Sequence, residues 1–110
     1  MIRHIVLFSA KQAQDAAAIK QALEAMGDIP GVRFLEVALN EKKDRLSQEI
    51  DVVLYSEFDS YEDLDAYQNH PRHLAAIDIV RPLRDQRVVV DYTAAVGRGG
   101  ATPDGGRENG

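Results

Sequence analysis

Apolar side chains occupy both faces of the predicted β-strands in this chain, and this pattern restricts its fold more than any other feature. In the first predicted strand, residues 2–8, one face carries Ile2, Val6 and Phe8 and the other carries Ile5 and Leu7. Residues 50–58 repeat the pattern, with Val52, Leu54 and Phe58 opposing Val53 and Tyr55. An antiparallel sheet with one face in water would alternate apolar and polar residues. Both faces of this sheet therefore need a cover.

Periodicity predicts the remaining elements. Apolar residues recur at helical spacing from Lys11 to Met26, and Gly27 is expected to supply the left-handed residue that ends this helix. Further strands are predicted at residues 32–39 and 87–92. On one face of the former lie Leu35, Val37 and Leu39. The charged stretch from Glu41 to Glu49 is predicted to be a solvated loop.

A capping pattern predicts where the second helix begins. Ser60 is followed three residues later by Asp63, a variant of the capping box. Pro71 ends this helix and suits the first position of a further helical segment through Ile79, because its missing N–H is no loss there. The order of the elements is β-α-β-β-α-β. This order predicts an α+β, ferredoxin-like fold with a four-stranded antiparallel sheet.

Two principal helices can cover only one face of a four-stranded sheet. In a chain of 110 residues the simplest cover for the second face is another copy of the chain, which gives a homodimer through the sheet faces. The alternative is that Arg3, Asp51 and Asp91 keep the second face polar enough for a monomer.

The length allows for one domain. Residues 97–110 hold six of the eight glycines and no large apolar side chain, so we predict a folded domain at residues 1–96 and a flexible C-terminal tail at residues 97–110.

Charge and composition exclude several functions. The net charge is −5 and no basic run is longer than Lys42-Lys43, so nucleic acid is not an expected partner. The absence of cysteine excludes disulfides and thiolate chemistry and fits a cytoplasmic location. The apolar run at Ile5 to Phe8 is far shorter than the roughly 20 residues of a membrane helix, so no membrane partner is expected. No cofactor is predicted.

Four segments together resemble the stress-responsive dimeric alpha-beta barrel (Dabb) domain family. They are MIRHIVLF at residues 1–8, YSEFDSYEDLDAY at 55–67, QNHPRH at 68–73 and VVVDY at 88–92. The resemblance spans nearly all of residues 1–93. It implies a ferredoxin-like monomer that pairs through its sheet into a barrel, in agreement with the strand pattern.

The resemblance leaves the function divided, because a fold does not fix an activity. The family includes plant stress-associated proteins without a clear catalytic role and a plant polyketide cyclase that closes a ring by aldol condensation. In the cyclase a tyrosine and a histidine of a Tyr-x-x-His-Pro-x-His run carry the chemistry, and these match Tyr67 and His73. The family's strand-one histidine matches His4, and the first histidine of the run matches His70.

The chemistry of an aldol closure suits these residue types. A histidine, with a pKa of about 6.5, can remove the proton beside a carbonyl, and a tyrosine hydroxyl can hold the enolate oxygen. We therefore take His73 and Tyr67 as the catalytic candidates. His4 shares a strand face with Val6 and Phe8, and these three are the candidates for the floor of a cavity between sheet and helices.

Structural roles compete with each of these assignments. His70, before a proline, is a candidate for binding but also for a helix cap, and His4 is a candidate for a hydrogen-bonded core histidine. His73 and Tyr67 can equally be packing residues. Pro71 between His70 and His73, without a matched carboxylate, argues against a metal site, and none is predicted.

Two functions follow. The first is a homodimeric protein that binds a small apolar molecule without an established reaction. The second is a polyketide-cyclase-like or isomerase-like enzyme that uses a histidine base and a tyrosine donor on a carbonyl substrate. A cavity beside Tyr67 and His73 would favour the enzyme, whereas tight packing around both would favour binding or a structural role.

Overall fold

A computed structural model describes residues 1–95 of the chain. Its four strands are β1 (Ile2–Ala10), β2 (Phe34–Leu39), β3 (Val52–Phe58) and β4 (Arg84–Thr93), and its three helices are α1 (Ala16–Glu24), α2 (Tyr61–Gln68) and α3 (Pro71–Val80). A short 3-10 helix, Ala13–Asp15, precedes α1. The predicted tail at residues 97–110 lies outside the described residues.

The four strands form one antiparallel sheet in the order β2-β3-β1-β4. In the centre of the sheet Val6 of β1 lies opposite Leu54 of β3 on one side and Val89 of β4 on the other. The arrangement confirms the predicted ferredoxin-like α+β fold. Within residues 1–95, the helices are too short or too polar for any of them to traverse a bilayer.

Side chains cap α2 and α3 where the sequence predicted their beginnings. The backbone N–H of Asp63 donates to Ser60 Oγ at 3.1 Å, which fixes the first turn of α2. Pro71 is in the first turn of α3, and the N–H of Arg72 donates to His70 Nδ1 at 3.1 Å. The break at Pro71 therefore separates α2 from α3.

The predicted end of the first helix is wrong. α1 ends at Glu24, and Gly27 is not left-handed; among the glycines of residues 1–95 only Gly31 has a positive φ, of 93°. After Glu24 the chain continues in tight turns, in which Met26 N–H donates to Leu23 O and Gly27 N–H donates to Glu24 O. These bonds satisfy the final carbonyls of α1 without a left-handed residue.

The alternation of the strands divides the sheet into two faces, as the sequence predicted. The helix side holds the buried core, formed by residues such as Val6, Leu54 and Phe58 together with Ile19 and Leu23 of α1. The opposite side, here called the open face, consists of Arg3, Ile5, Leu7, Phe34, Glu36, Ala38, Val53, Tyr55, Glu57, Val88, Val90 and Tyr92.

Within the described chain the open face is mainly apolar and carries no covering element. Val88, Val90 and Tyr92 of β4 are 46%, 49% and 41% exposed. A contiguous apolar strand surface of this kind is typical of a protein contact.

Hydrogen bonds within the open face join four of its polar side chains in two pairs. Tyr55 Oη donates to Glu57 Oε2 at 2.6 Å, and Arg3 Nη1 donates to Tyr92 Oη at 3.2 Å. Glu57 is only 2% exposed, and burial raises the pKa of Tyr55 to about 12, helped by the bond to Glu57. Because these groups bond to one another, they are compatible with an apolar cover.

The structure corrects the position of Asp91. The sequence interpretation counted this residue among the charges of the second face, but β4 pairs with β1 so that Asp91 lies opposite His4, on the helix side. The side chain bonds to His4 Nδ1. Asp91 therefore does not contribute to the polarity of the open face.

Candidate functional site

A cavity of about 290 Å³ lies on the helix side, between α1, α3 and strands β1 and β4. Its lining is mainly apolar and comprises Val6, Phe8, Leu23, Met26, Leu54, Ala76, Ile77 and Val80. The polar residues of the lining are His4, His73, Arg81, Arg84 and Arg87. An apolar interior with a few polar groups is the usual composition of a small-molecule site.

His4 is the polar residue of the lining that is held most firmly. The side chain is 1% exposed on β1, and its Nδ1 lies 2.6 Å from Asp91 Oδ1 of the neighbouring strand. A carboxylate in this position accepts the proton of Nδ1, which fixes the ring orientation and leaves Nε2 able to accept a proton. The pair thus has the arrangement of a positioned general base.

His73, in the first turn of α3, lines the same cavity but lacks a carboxylate partner of the kind that His4 has. It is 8% exposed, and its buried Nδ1 has no hydrogen-bond partner among residues 1–95. Burial lowers the pKa of His73, and the positive charge of Arg87 and the proximity of His4 lower it further. The imidazole is therefore neutral at pH 7 and able to accept a proton.

Tyr67 of α2 lies against His73 but does not line the cavity. The two rings meet edge to face, with centroids 4.8 Å apart, and Tyr67 is completely buried. Its hydroxyl lies 3.7 Å from the sulfur of Met26, which is itself a lining residue. Burial raises the pKa of Tyr67 well above its usual value. The hydroxyl is thus a neutral donor directed at the cavity wall.

The predicted site residues fall into two groups. His4, Val6, Phe8 and His73 surround one cavity, with Tyr67 behind its wall. His70 lies outside the lining and caps α3. Among the described residues, no three His, Asp or Glu side chains are placed to hold a metal ion.

Sequence reasoning missed Asp91 and the arginines of the lining. Alternation along β4 places Arg87, Val89 and Asp91 on one face, and this was the available signal. Which face they share depends on how β4 pairs with β1, and Asp91 is 87 positions from its partner His4. Arg81 and Arg84 lie at the turn between α3 and β4, where periodicity carries no information.

Comparison with known proteins places the chain in a family. A family model described as the stress responsive A/B barrel domain (Dabb) matches residues 2–94. A dimeric protein of unknown function with a ferredoxin-like fold from Bacteroides fragilis is 33% identical, with a TM-score of 0.71, over 83% of this chain and 93% of that one.

Two further structures are similar. A dimeric ferredoxin-like protein of unknown function from Thermobifida fusca is 26% identical, with a TM-score of 0.73, over 84% of this chain and 90% of that one. A Dabb family protein from Mesorhizobium loti is 24% identical, with a TM-score of 0.70, over 86% and 97% of the two chains. No curated protein sequence matches the chain. The family model, which spans nearly all of the described residues, shows that the chain belongs to the stress-responsive A/B barrel (Dabb) domain family.

Proposed function

We propose that the chain forms a homodimer through its open face and that each copy binds a small, largely apolar molecule in the cavity on the helix side. The observation that carries the ligand proposal is the cavity itself, because apolar side chains surround about 290 Å³ beside two buried histidines. A cavity of this size lies near the lower end of the range for ligand pockets. The cysteine-free composition agrees with action in the cytoplasm.

The open face supports the homodimer. Its apolar residues on β4 are about half exposed in the single chain, and two hydrogen bonds, Tyr55 to Glu57 and Arg3 to Tyr92, join polar side chains within the face. The similar proteins from Bacteroides fragilis and Thermobifida fusca are dimeric. A second copy would cover this face with an identical surface.

A cavity-filling variant tests the ligand proposal. Ala76 lines the cavity on α3, whereas the adjacent Ala75 is exposed, so Ala76→Phe fills the cavity and Ala75→Phe is the matched control. A panel of apolar carbonyl compounds is scored by the shift in melting temperature, measured against each variant without ligand. A ligand at 100 times its Kd stabilises the native state by about 2.7 kcal/mol.

We expect this shift in the wild type and in Ala75→Phe, and its loss in Ala76→Phe. Each variant serves as its own reference because overpacking alone costs about 1–3 kcal/mol. An equal shift in all three proteins would place the ligand outside the cavity.

A second candidate is a cyclase-like or isomerase-like enzyme that acts on a carbonyl substrate, with His73 as general base and Tyr67 as hydrogen-bond donor. The contact between their rings favours it, as does the neutral state of both side chains. For Tyr67 to reach a substrate, its hydroxyl must leave the Met26 sulfur, a weak acceptor. His4, oriented by Asp91, is an alternative base in the same cavity.

Single variants distinguish the two bases. Turnover of polyketide-like carbonyl substrates is compared among His73→Ala, Tyr67→Phe, His4→Gln and Asp91→Asn. Loss of a general base lowers the rate by about 10²–10⁴-fold. A loss confined to the first two variants supports His73 as the base, and a loss confined to the last two supports His4. Unaltered rates in His73→Ala and Tyr67→Phe would end the predicted assignment.

A further inference from the structure

Three arginines stand at the solvent side of the cavity, although the chain as a whole carries a net charge of −5. They are Arg81, at the end of α3, Arg84, at the beginning of β4, and Arg87, three residues further along β4. Arg81 and Arg87 are exposed and Arg84 is half-buried. We call this group the arginine mouth.

The arginine mouth contains no ion pair within residues 1–95. None of the three guanidinium groups is paired with a carboxylate there. Arg84 Nη1 donates a hydrogen bond to the backbone oxygen of Asp85 at 3.2 Å, and the other two guanidinium groups make no hydrogen bond within the described residues. Other basic residues do pair with carboxylates, among them Arg33 with Asp59 and Arg72 with Asp28. Arg45 also forms no ion pair within residues 1–95, but it lies in a loop, whereas the three arginines of the mouth line one cavity.

No acidic side chain lines the cavity in the described structure. The carboxylate of Asp91 attracts Arg87 but is bonded to His4 Nδ1. Burial and the charge of Arg84 lower the pKa of Arg87, and Arg87 in turn lowers the pKa of His73. The positive electrostatic potential of the arginine mouth therefore extends into the apolar cavity.

We propose that the cavity binds the ionised form of an apolar carboxylic acid, with the carboxylate at the arginine mouth and the hydrocarbon body against the apolar wall. Guanidinium groups suit this role because their paired N–H groups match the two oxygens of a carboxylate. The inference rests on the proposed ligand-binding function and specifies its ligand class. Since one water molecule occupies roughly 30 Å³ in the liquid, a cavity of about 290 Å³ has room for about ten groups of that size.

Octanoate and octanamide form a matched pair of probes. They have the same size and shape, but only octanoate carries a charge at pH 7.5. Calorimetric titration of the full chain should show that octanoate binds about tenfold more tightly than octanamide, since hydrogen bonds to charged groups are roughly twice as strong as neutral ones. Added salt should weaken octanoate binding and leave octanamide binding unchanged.

The double variant Arg84→Gln/Arg87→Gln should lose the preference for octanoate and retain octanamide binding. Arg45→Gln is the control, because Arg45 is exposed in the loop between β2 and β3 and does not line the cavity. The salt series on the wild type supplies an independent reading if the double variant folds poorly.

The outcomes separate this inference from the proposed function. Equal binding of the two probes would overturn the carboxylate proposal and leave apolar binding intact. A preference for octanoate that persists in the double variant would overturn the role of Arg84 and Arg87. Binding of neither probe would count against both proposals.

Discussion

The two faces of the sheet belong to the same four strands but differ in how their polar side chains are bonded. On the open face Tyr55 bonds to Glu57 and Arg3 bonds to Tyr92. On the helix side His73 lines a cavity with a buried nitrogen that has no partner in the described structure, beside arginines that form no ion pairs there.

The difference indicates which kind of partner each face is suited to bind. A surface whose polar side chains bond largely to one another can be covered by an apolar partner with little loss of hydrogen bonds. A concave surface that leaves polar groups unsatisfied gains from a ligand that supplies the missing partners. The open face thus suits a second copy of the chain, and the helix side suits a small molecule.

A charge introduced on the open face should produce the largest effect, which is a loss of dimerisation. In Val90→Asp each copy would bury an unpaired carboxylate against its partner, which costs about 3–5 kcal/mol and weakens the dimer on the order of a hundredfold or more. Light scattering after size-exclusion chromatography should show a monomer. Leu46→Asp, at a loop residue that is 82% exposed, should remain dimeric. A Val90→Asp dimer of unchanged affinity would contradict the proposal that the open face is the contact between the two copies.

Removing the hydrogen-bond partner of His4, on the helix side, should have the next largest effect and lower the free energy of unfolding. Asp91→Ala leaves the buried Nδ1 of His4 without its partner, which costs about 1–3 kcal/mol. Urea denaturation of the two proteins measures this loss. Asp78→Ala removes an exposed carboxylate of α3 and should change the free energy of unfolding by less than about 0.5 kcal/mol. Equal effects would mean that the bond to His4 contributes nothing.

The pH dependence of stability sharpens the description of the helix side. Because burial lowers the pKa of His73 in the folded chain, the unfolded chain binds the proton more readily. His73 therefore supports full stability above pH 6.5, its approximate unfolded pKa, and destabilises the fold as the pH falls towards 5. Each unit of pKa lowering corresponds to about 1.4 kcal/mol.

Melting curves between pH 8 and pH 5 test this expectation. His73→Gln should lose less stability on acidification than the wild type, and the difference between the two curves isolates the contribution of His73. Parallel curves would show that His73 is not protonated more easily on unfolding.

The smallest effect is expected at Tyr67. Its hydroxyl bonds to a thioether sulfur, a weak acceptor, so Tyr67→Phe should cost less than about 1 kcal/mol despite complete burial. Tyr61→Phe, at an exposed residue of α2, provides the baseline. A loss of several kcal/mol, read from urea denaturation, would mean that the hydroxyl has a stronger partner than the structure shows.

Much of the fold was predictable because alternation and capping are local. The division of Val6 and Ile5 between two faces follows from the strand period, and Ser60 and Pro71 mark helix starts by their own chemistry. The end of α1 was not predictable in the same way, since the tight turns after Glu24 made the left-handed glycine unnecessary.

The site was less accessible to sequence reasoning. The bond between His4 and Asp91 joins the two ends of the folded chain, and only the register of β1 against β4 brings them together. The family resemblance singled out Tyr67 and His73 together but did not reveal that the hydroxyl faces Met26. The arginine mouth arises from the turn between α3 and β4, which has no periodic signal.

Methyl resonances report on both faces in one titration and test the central claim most directly. In protein labelled at Ile, Leu and Val methyl groups, octanoate should shift the signals of Val6, Leu54 and Ile77, which line the cavity, and leave those of Val88 and Val90 on the open face unchanged. Shifts confined to Val88 and Val90, with none at the cavity methyls, would contradict the division of the sheet into a ligand side and a partner side.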